Sequence, residues 1–173
     1  MNIRSHPATS NVCLHIRVRA HRRTEAQELS ESCIFCKIVR GEVLSHKVYE
    51  DERTLAFLDI NPSAPGHTLI IPKAHVTRVE DLSEEDAEAL FRTLHRLVGA
   101  IQDALEATSS TIGINNGPES GQEVPHVHIH VIPRTKGDRG RIIQGLVQSL
   151  DRPNEEEMLR IAERIREHTS TLD

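Results

Sequence analysis

The chain has no tryptophan and one tyrosine among 173 residues, and three phenylalanines bring the aromatic fraction to only 2%. So thin a supply excludes the aromatic platforms on which single-stranded nucleic acid stacks. No apolar run approaches the roughly 20 residues that a membrane-spanning helix requires. Nor is there an excess of basic charge: 21 Lys and Arg stand against 26 Asp and Glu, a formal net charge of -5, which argues against a general polyanion binder. Nucleic acid and membrane are therefore not expected partners. Cysteine is sparse at three residues, too few for a disulfide framework and in keeping with a reducing, cytoplasmic setting. Histidine, by contrast, is abundant, with eleven copies of the side chain that titrates near neutral pH and most often binds metals.

A length of 173 residues suits one compact domain with extensions. Residues 1–30 hold five Arg and two Glu, a net of +3, which leaves -8 for the remainder. This basic stretch sustains no strand or helix period and is read as a disordered extension outside the fold. It lacks the apolar core of a secretory signal, whereas an organellar transit peptide, also Arg-rich and acid-poor, is a minor alternative. Residues 31–140 are expected to carry the fold, and 141–173 a C-terminal helical extension.

Within the fold, a short helical turn is expected from Cys33 to Val39, closed by Gly41. Strands follow at Lys47–Glu50 and Thr54–Leu58 around the charged turn Asp51-Glu52-Arg53. A loop carrying Pro62, Pro65 and Gly66 leads to a strand from His67 to Pro72, whose successive Leu69, Ile70 and Ile71 predict burial on both faces. Ser83-Glu84-Glu85-Asp86 is a helix start, with a capping hydroxyl and three acids at the positive end of the dipole. Ala87, Leu90, Phe91, Leu94, Leu97, Val98, Ile101 and Leu105 continue it at helical spacing. Strands at Thr111–Asn115 and His126–Ile132 follow, the second ended by Pro133. A last amphipathic helix starts near Asn154, with Met158, Ile161, Ala162 and Ile165 on one face.

His126-Val127-His128-Ile129-His130-Val131-Ile132 is the most informative stretch. In a strand alternate side chains point to opposite faces, so the three His share one face while Val127, Ile129 and Val131 enter the core. On the residues alone such a row suits either a metal-binding face or a catalyst. The preceding loop, Asn115 to Gln122, supplies two glycines and several amides, which can approach an anion. Cys33 and Cys36, two residues apart, suit a metal knuckle or a redox pair.

These stretches together resemble the histidine triad (HIT) superfamily, whose signature is His-φ-His-φ-His-φ-φ, with φ apolar. Cys33-Ile34-Phe35-Cys36-Lys37-Ile38, Phe57-Leu58-Asp59-Ile60-Asn61-Pro62, Ile71-Pro72-Lys73-Ala74-His75 and Gly121-Gln122 resemble its other blocks, in order. The match is nearest to the Hint-like branch of nucleotide hydrolases in its zinc-bearing microbial form. It implies an α+β fold with an antiparallel sheet of about five strands, and a homodimer with the helix near Ser83–Ala107 at the contact. It further implies a purine nucleotide substrate. His128 would attack the α-phosphorus to form a covalent nucleotidyl-histidine, and His130 would assist the phosphate or the leaving group. Asn115 and Gln122 would contact the phosphate, and Asp59 the ribose, although Asp59 could instead cap its own loop. Ile34, Phe35, Ile38, Phe57, Leu58 and Ile60 would form the slot for the base, or for some of them simply core.

Phosphoramidates or adenylylated groups are the expected substrates, but Glu123 stands where that branch usually has Ser, which gives weight to ester or anhydride substrates. A dinucleoside polyphosphate hydrolase, as in the fragile-histidine-triad branch, and a nucleotide-binding interaction module are the alternatives. In zinc-bearing members the cysteine pair is completed by two His, here His75 and His126, a closed Cys₂His₂ set and so a structural zinc site. The other seven His, including His67, are given no role.

Overall fold

The computed structural model describes residues 25–140 and 154–169; the readings for 1–24 and 141–153 lie outside them. Helix α1 (Glu25–Ser32) begins within the stretch read as an extension and leads into α2 (Ile34–Val39). Cys33 occupies the N-cap position of α2, and Gly41, at φ +76, takes the left-handed conformation that ends it. Five strands follow: β1 (Lys47–Glu50), β2 (Thr54–Leu58), β3 (Thr68–Pro72), β4 (Ser109–Gly113) and β5 (Ile129–Arg134). All neighbours are antiparallel, in the order β1-β2-β3-β5-β4. The long α3 (Glu84–Ala104) is inserted between β3 and β4, and its Ser83 hydroxyl accepts from the Asp86 amide as the sequence predicts. Among the described residues no helix is long and apolar enough to cross a membrane.

The sheet buries both faces, and the two-residue strand period sorts its side chains between two cores. Ala56, Ile70, Val127, Ile129 and Val131 pack with Leu90 of α3 on one face. Leu55, Phe57, Leu69 and Ile71 pack with Cys33, Phe35, Cys36 and Ile38 of the α2 region on the other. All five residues of β3 are buried, which is why its apolar run is continuous rather than alternating. A polar pair is enclosed as well. Thr54 and Thr93 share a hydroxyl hydrogen bond of 2.8 Å, and the Thr54 amide and hydroxyl both donate to Asp51.

Three expectations shift. The strand predicted at 111–115 is drawn two residues earlier, because Ser109 and Ser110 pair with Arg134 and Pro133; serines carry little strand signal of their own. The regular part of the histidine strand runs 129–134, not 126–132, because the Val127 amide bonds the Val76 carbonyl outside the sheet ladder. Pro133 lies inside β5 rather than ending it. The β3 pairing stops at Val131, so its missing N–H falls where β5 has only β4 beside it. In α3, Leu90 is fully buried whereas Phe91 is 50% exposed. Leu90→Ala should accordingly cost about 2–5 kcal/mol in urea denaturation, and Phe91→Ala less than about 1 kcal/mol by the same measurement.

Candidate active site and metal centre

Extended backbone from His126 onward turns three imidazoles away from α3 and toward α2. His126 is fully buried and His128 nearly so, and the Phe35 ring meets both edge-on, at centroid distances of 5.8 and 5.3 Å. The His126 ring faces two ways. Its Nε2 donates to the Pro72 carbonyl at 2.9 Å, which leaves Nδ1 with a lone pair pointing at Cys33 Sγ and Cys36 Sγ, each 3.6 Å away, and at His75 Nδ1, 3.4 Å away. Cys36 Sγ and His75 Nδ1 are 3.3 Å apart. The structure thus brings together all four residues of the expected metal set, with donor atoms within 4.8 Å of one another.

These separations fit a tetrahedral ion. Bonds of about 2.0–2.3 Å to nitrogen and sulfur make the edges of a tetrahedron roughly 3.3–3.8 Å. The carbonyl behind His126 is the kind of outer partner that fixes a metal ligand's tautomer. Burial holds His126 neutral, pushed down to about 4, and lowers His75 as well. Burial also pushes the Cys36 thiol up, the opposite of what a reactive redox cysteine needs. Four protein donors close the set, leaving no open position for a reacting water.

Two residues on, His128 Nδ1 donates to the His126 carbonyl at 2.7 Å. In the neutral ring that bond puts the proton on Nδ1 and the lone pair on Nε2, the tautomer a nucleophile requires. His130 is set by a different chain of bonds, through a residue that the sequence reading left without a role. The Ser63 backbone N–H can only donate, and it donates to His67 Nδ1 at 3.2 Å. The His67 proton therefore resides on Nε2, which donates to His130 Nδ1 at 2.9 Å. His130 in turn carries its proton on Nε2, a buried atom with no hydrogen-bond partner. The site thus pairs an unprotonated nitrogen on His128 with an unused N–H on His130, and the two rings lie 4.8 Å apart. Asp59, His67 and His130 are also close enough together to suggest a second metal group. The two nitrogens of His67 face opposite ways, however, with Nδ1 accepting from Ser63 and 3.5 Å from Asp59 Oδ2 and Nε2 donating to His130, so a single ion could not take Asp59 and His130 together through His67.

The remaining expected site residues divide. Phe35, Ile38 and Phe57 are buried in the core beside α2, whereas Ile34, Leu58 and Ile60 are 41, 37 and 91% exposed at its rim. Asp59 Oδ1 accepts from the Asn61 amide, as a loop cap does. Gln122 spends both ends of its amide on backbone, accepting from Gly117 N at 2.9 Å and donating to the Thr77 carbonyl at 2.8 Å. Asn115 reaches the Gly121 carbonyl. A groove of about 720 Å³ opens beyond His130, walled by Ser63, His67, Asn115, Ile132 and Arg134 among others.

Residues 40–137 match the HIT domain family. The chain belongs to the histidine triad family. "Protein hit" of Bacillus subtilis is 47% identical to this HIT protein over 110 residues, 63% of this chain and 76% of that one. Adenosine 5'-monophosphoramidase HNT1 of Saccharomyces cerevisiae is 38% identical over 126 residues, 71% of this chain and 75% of its own. Among solved structures, a Zn-bound histidine triad family protein from Mycobacterium smegmatis is similar with a TM-score of 0.61 and 35% identity, covering 82% of this chain and 99% of that one. The α+β architecture is thus a HIT-like fold.

Burial lowers His67, and burial together with the neighbouring His128 and His67 pushes His130 down to about 4. An unfolded chain, whose histidines titrate near 6.5, binds more protons than the native state between those values. Stability should be full above pH about 6.5 and fall as the pH drops toward about 4. Thermal melts across that range should show the decline, and His130→Gln should flatten it.

Proposed function

We propose that this HIT protein is a hydrolase or nucleotidyl transferase acting on purine nucleotides through a covalent nucleotidyl-histidine on His128. The observation that carries this reading is the complementary protonation of the pair, with a lone pair held on His128 Nε2 and a proton held on His130 Nε2. In the forward step His128 Nε2 forms a bond to the α-phosphorus while the bond to the leaving group breaks. The positive charge that develops on the imidazole is stabilised through Nδ1–H by the His126 carbonyl. The His130 Nε2–H donates a hydrogen bond to the phosphate or to the departing atom, which takes its proton from solvent. Water then displaces His128 from phosphorus and loses its proton to solvent. Asp59 would hold the ribose, and the exposed Ile34, Leu58 and Ile60 with Phe35, Ile38 and Phe57 beneath them would hold the base. Asn115 would line the phosphate side. Gln122, bonded at both ends to backbone, would shape the loop rather than donate to phosphate itself.

Phosphoramidates and adenylylated groups are the substrate classes of this reading, supported by the relative named as an adenosine 5'-monophosphoramidase. Zinc is assigned to Cys33, Cys36, His75 and His126 as a structural ion that ties the α2 turn to the catalytic segment, supported by the donor spacing and by the Zn-bound relative. A homodimer with α3 at the contact belongs to the same reading, and the half-exposed Phe91 on α3 favours it.

Wild type and His128→Asn should be incubated with an adenosine phosphoramidate, an adenylylated lysine and a diadenosine polyphosphate. Wild type should turn over at least one of the first two and form an acid-labile nucleotidyl-protein, and the variant should be slower by on the order of 10³-fold or more. Equal rates would exclude His128 as nucleophile; preference for the polyphosphate would reassign the substrate, and tight binding without turnover would make the protein a binding module. His67→Asn, which can still donate to His130, should retain more kcat than His67→Phe, with KM little changed in both. Metal analysis of protein purified without added zinc should find about one ion per chain, and Cys33→Ser should lose it.

A further inference from the structure

Helix α4 (Glu155–Thr169) takes no part in the site described above, and it carries an apolar stripe that the described residues leave largely exposed. Asn154 caps it reciprocally: the Glu157 amide donates to Asn154 Oδ1 at 3.0 Å and the Asn154 amide to Glu157 Oε2 at 2.8 Å. Met158, Ile161, Ala162 and Ile165 form one stripe at helical spacing, yet Met158, Ile161 and Ile165 are 51, 43 and 58% exposed. A helix of 15 residues is marginal in water by itself, so an uncovered apolar stripe calls for a partner.

The charges along the helix indicate which partner. At helical spacing the positions flanking the stripe are Glu155 and Glu157 in the first turn and Arg164, Arg166 and His168 toward the last, whereas Glu156 and Glu163 fall on the opposite side. We infer that α4 pairs antiparallel with α4 of a second copy, its Met158-Ile161-Ala162-Ile165 stripe crossing its own image near Ile161 and Ala162. In this arrangement Met158 lies beside the second copy's Ile165, and Glu155 and Glu157 beside the stripe of each helix lie along Arg164, Arg166 and His168 of the other. The helix dipoles oppose each other as well, whereas a parallel pair would set Glu155 and Glu157 of one copy beside those of the other. The stripe is self-complementary under a two-fold axis, as an interface between identical copies requires. Thirteen residues, 141–153, separate α4 from the rest of the described chain and can span at most roughly 45 Å. That reach lets two α4 helices meet whether or not the HIT domains themselves touch, so the pairing does not rest on the proposed catalytic reading.

The test uses the full zinc-loaded chain with Cys13→Ser and single cysteines introduced into α4. Ala162→Cys, at the crossing point, should form a disulfide-linked pair under mild air oxidation. Glu155→Cys alone should not, but Glu155→Cys mixed with His168→Cys should link across the two copies. Ile161→Glu added to Ala162→Cys should cut the linked fraction at least ten-fold, with nucleotide turnover unchanged. Glu157→Arg should also reduce linking, and Arg164→Glu added to it should restore it. Self-linking of Glu155→Cys as efficient as that of Ala162→Cys would overturn the antiparallel arrangement. A failure of Ala162→Cys to link, or linking indifferent to Ile161→Glu, would overturn the pairing itself.

Discussion

Everything at the site depends on one backbone constraint, the alternation of an extended chain between His126 and Val131. Burial of Val127, Ile129 and Val131 beneath α3 leaves the intervening histidines no choice of face. A shift of a single residue in register would carry three imidazoles into an apolar core and three aliphatic side chains out of it. The apolar core on the α3 side is therefore what positions the polar chemistry on the other.

His126 joins two functions in one residue. Its side chain completes the Cys33, Cys36 and His75 cluster, while its carbonyl orients the His128 ring. The Pro72 carbonyl behind it comes from the end of β3, and His75 lies three residues further along the same segment. The thiols and imidazoles of the cluster thus converge from three parts of the chain that share no sequence neighbourhood. Ahead of β5 the segment 126–128 lies outside the sheet ladder, its Val127 amide bonded to the Val76 carbonyl instead, so a metal held by the four residues would add a second tie at the approach to the strand.

The local features of the fold were legible because they depend on short-range physics. Strands β1 and β2, the Ser83 cap and the Gly41 stop follow from patterns a few residues long, and the HIT motifs identified the four cluster residues and the His pair. The displaced features depend on pairing between distant segments. Ser109 and Ser110 become strand only because Pro133 and Arg134 lie opposite, and Pro133 is admitted because β3 has ended. His67 passed unnoticed for the same reason, since nothing near Gly66-His67 indicates that β3 will lie beside β5 and bring His67 against His130. Gln122 was legible as a loop residue, but its engagement with the Thr77 carbonyl depends on a segment 45 positions away.

That engagement has a kinetic meaning. The turn from Asn115 to Gln122 is closed on itself by the Gln122–Gly117 bond and tied to the Thr77–Glu80 stretch by Gln122 to the Thr77 carbonyl and by Asn116 to the Val79 amide and the Glu80 carboxylate. A loop fastened in this way keeps its conformation without a ligand. An incoming molecule then loses little affinity to ordering this part of the wall, and this loop does not have to close over it. Such a wall suits quick exchange of small molecules, because this turn need not unfold to let them go.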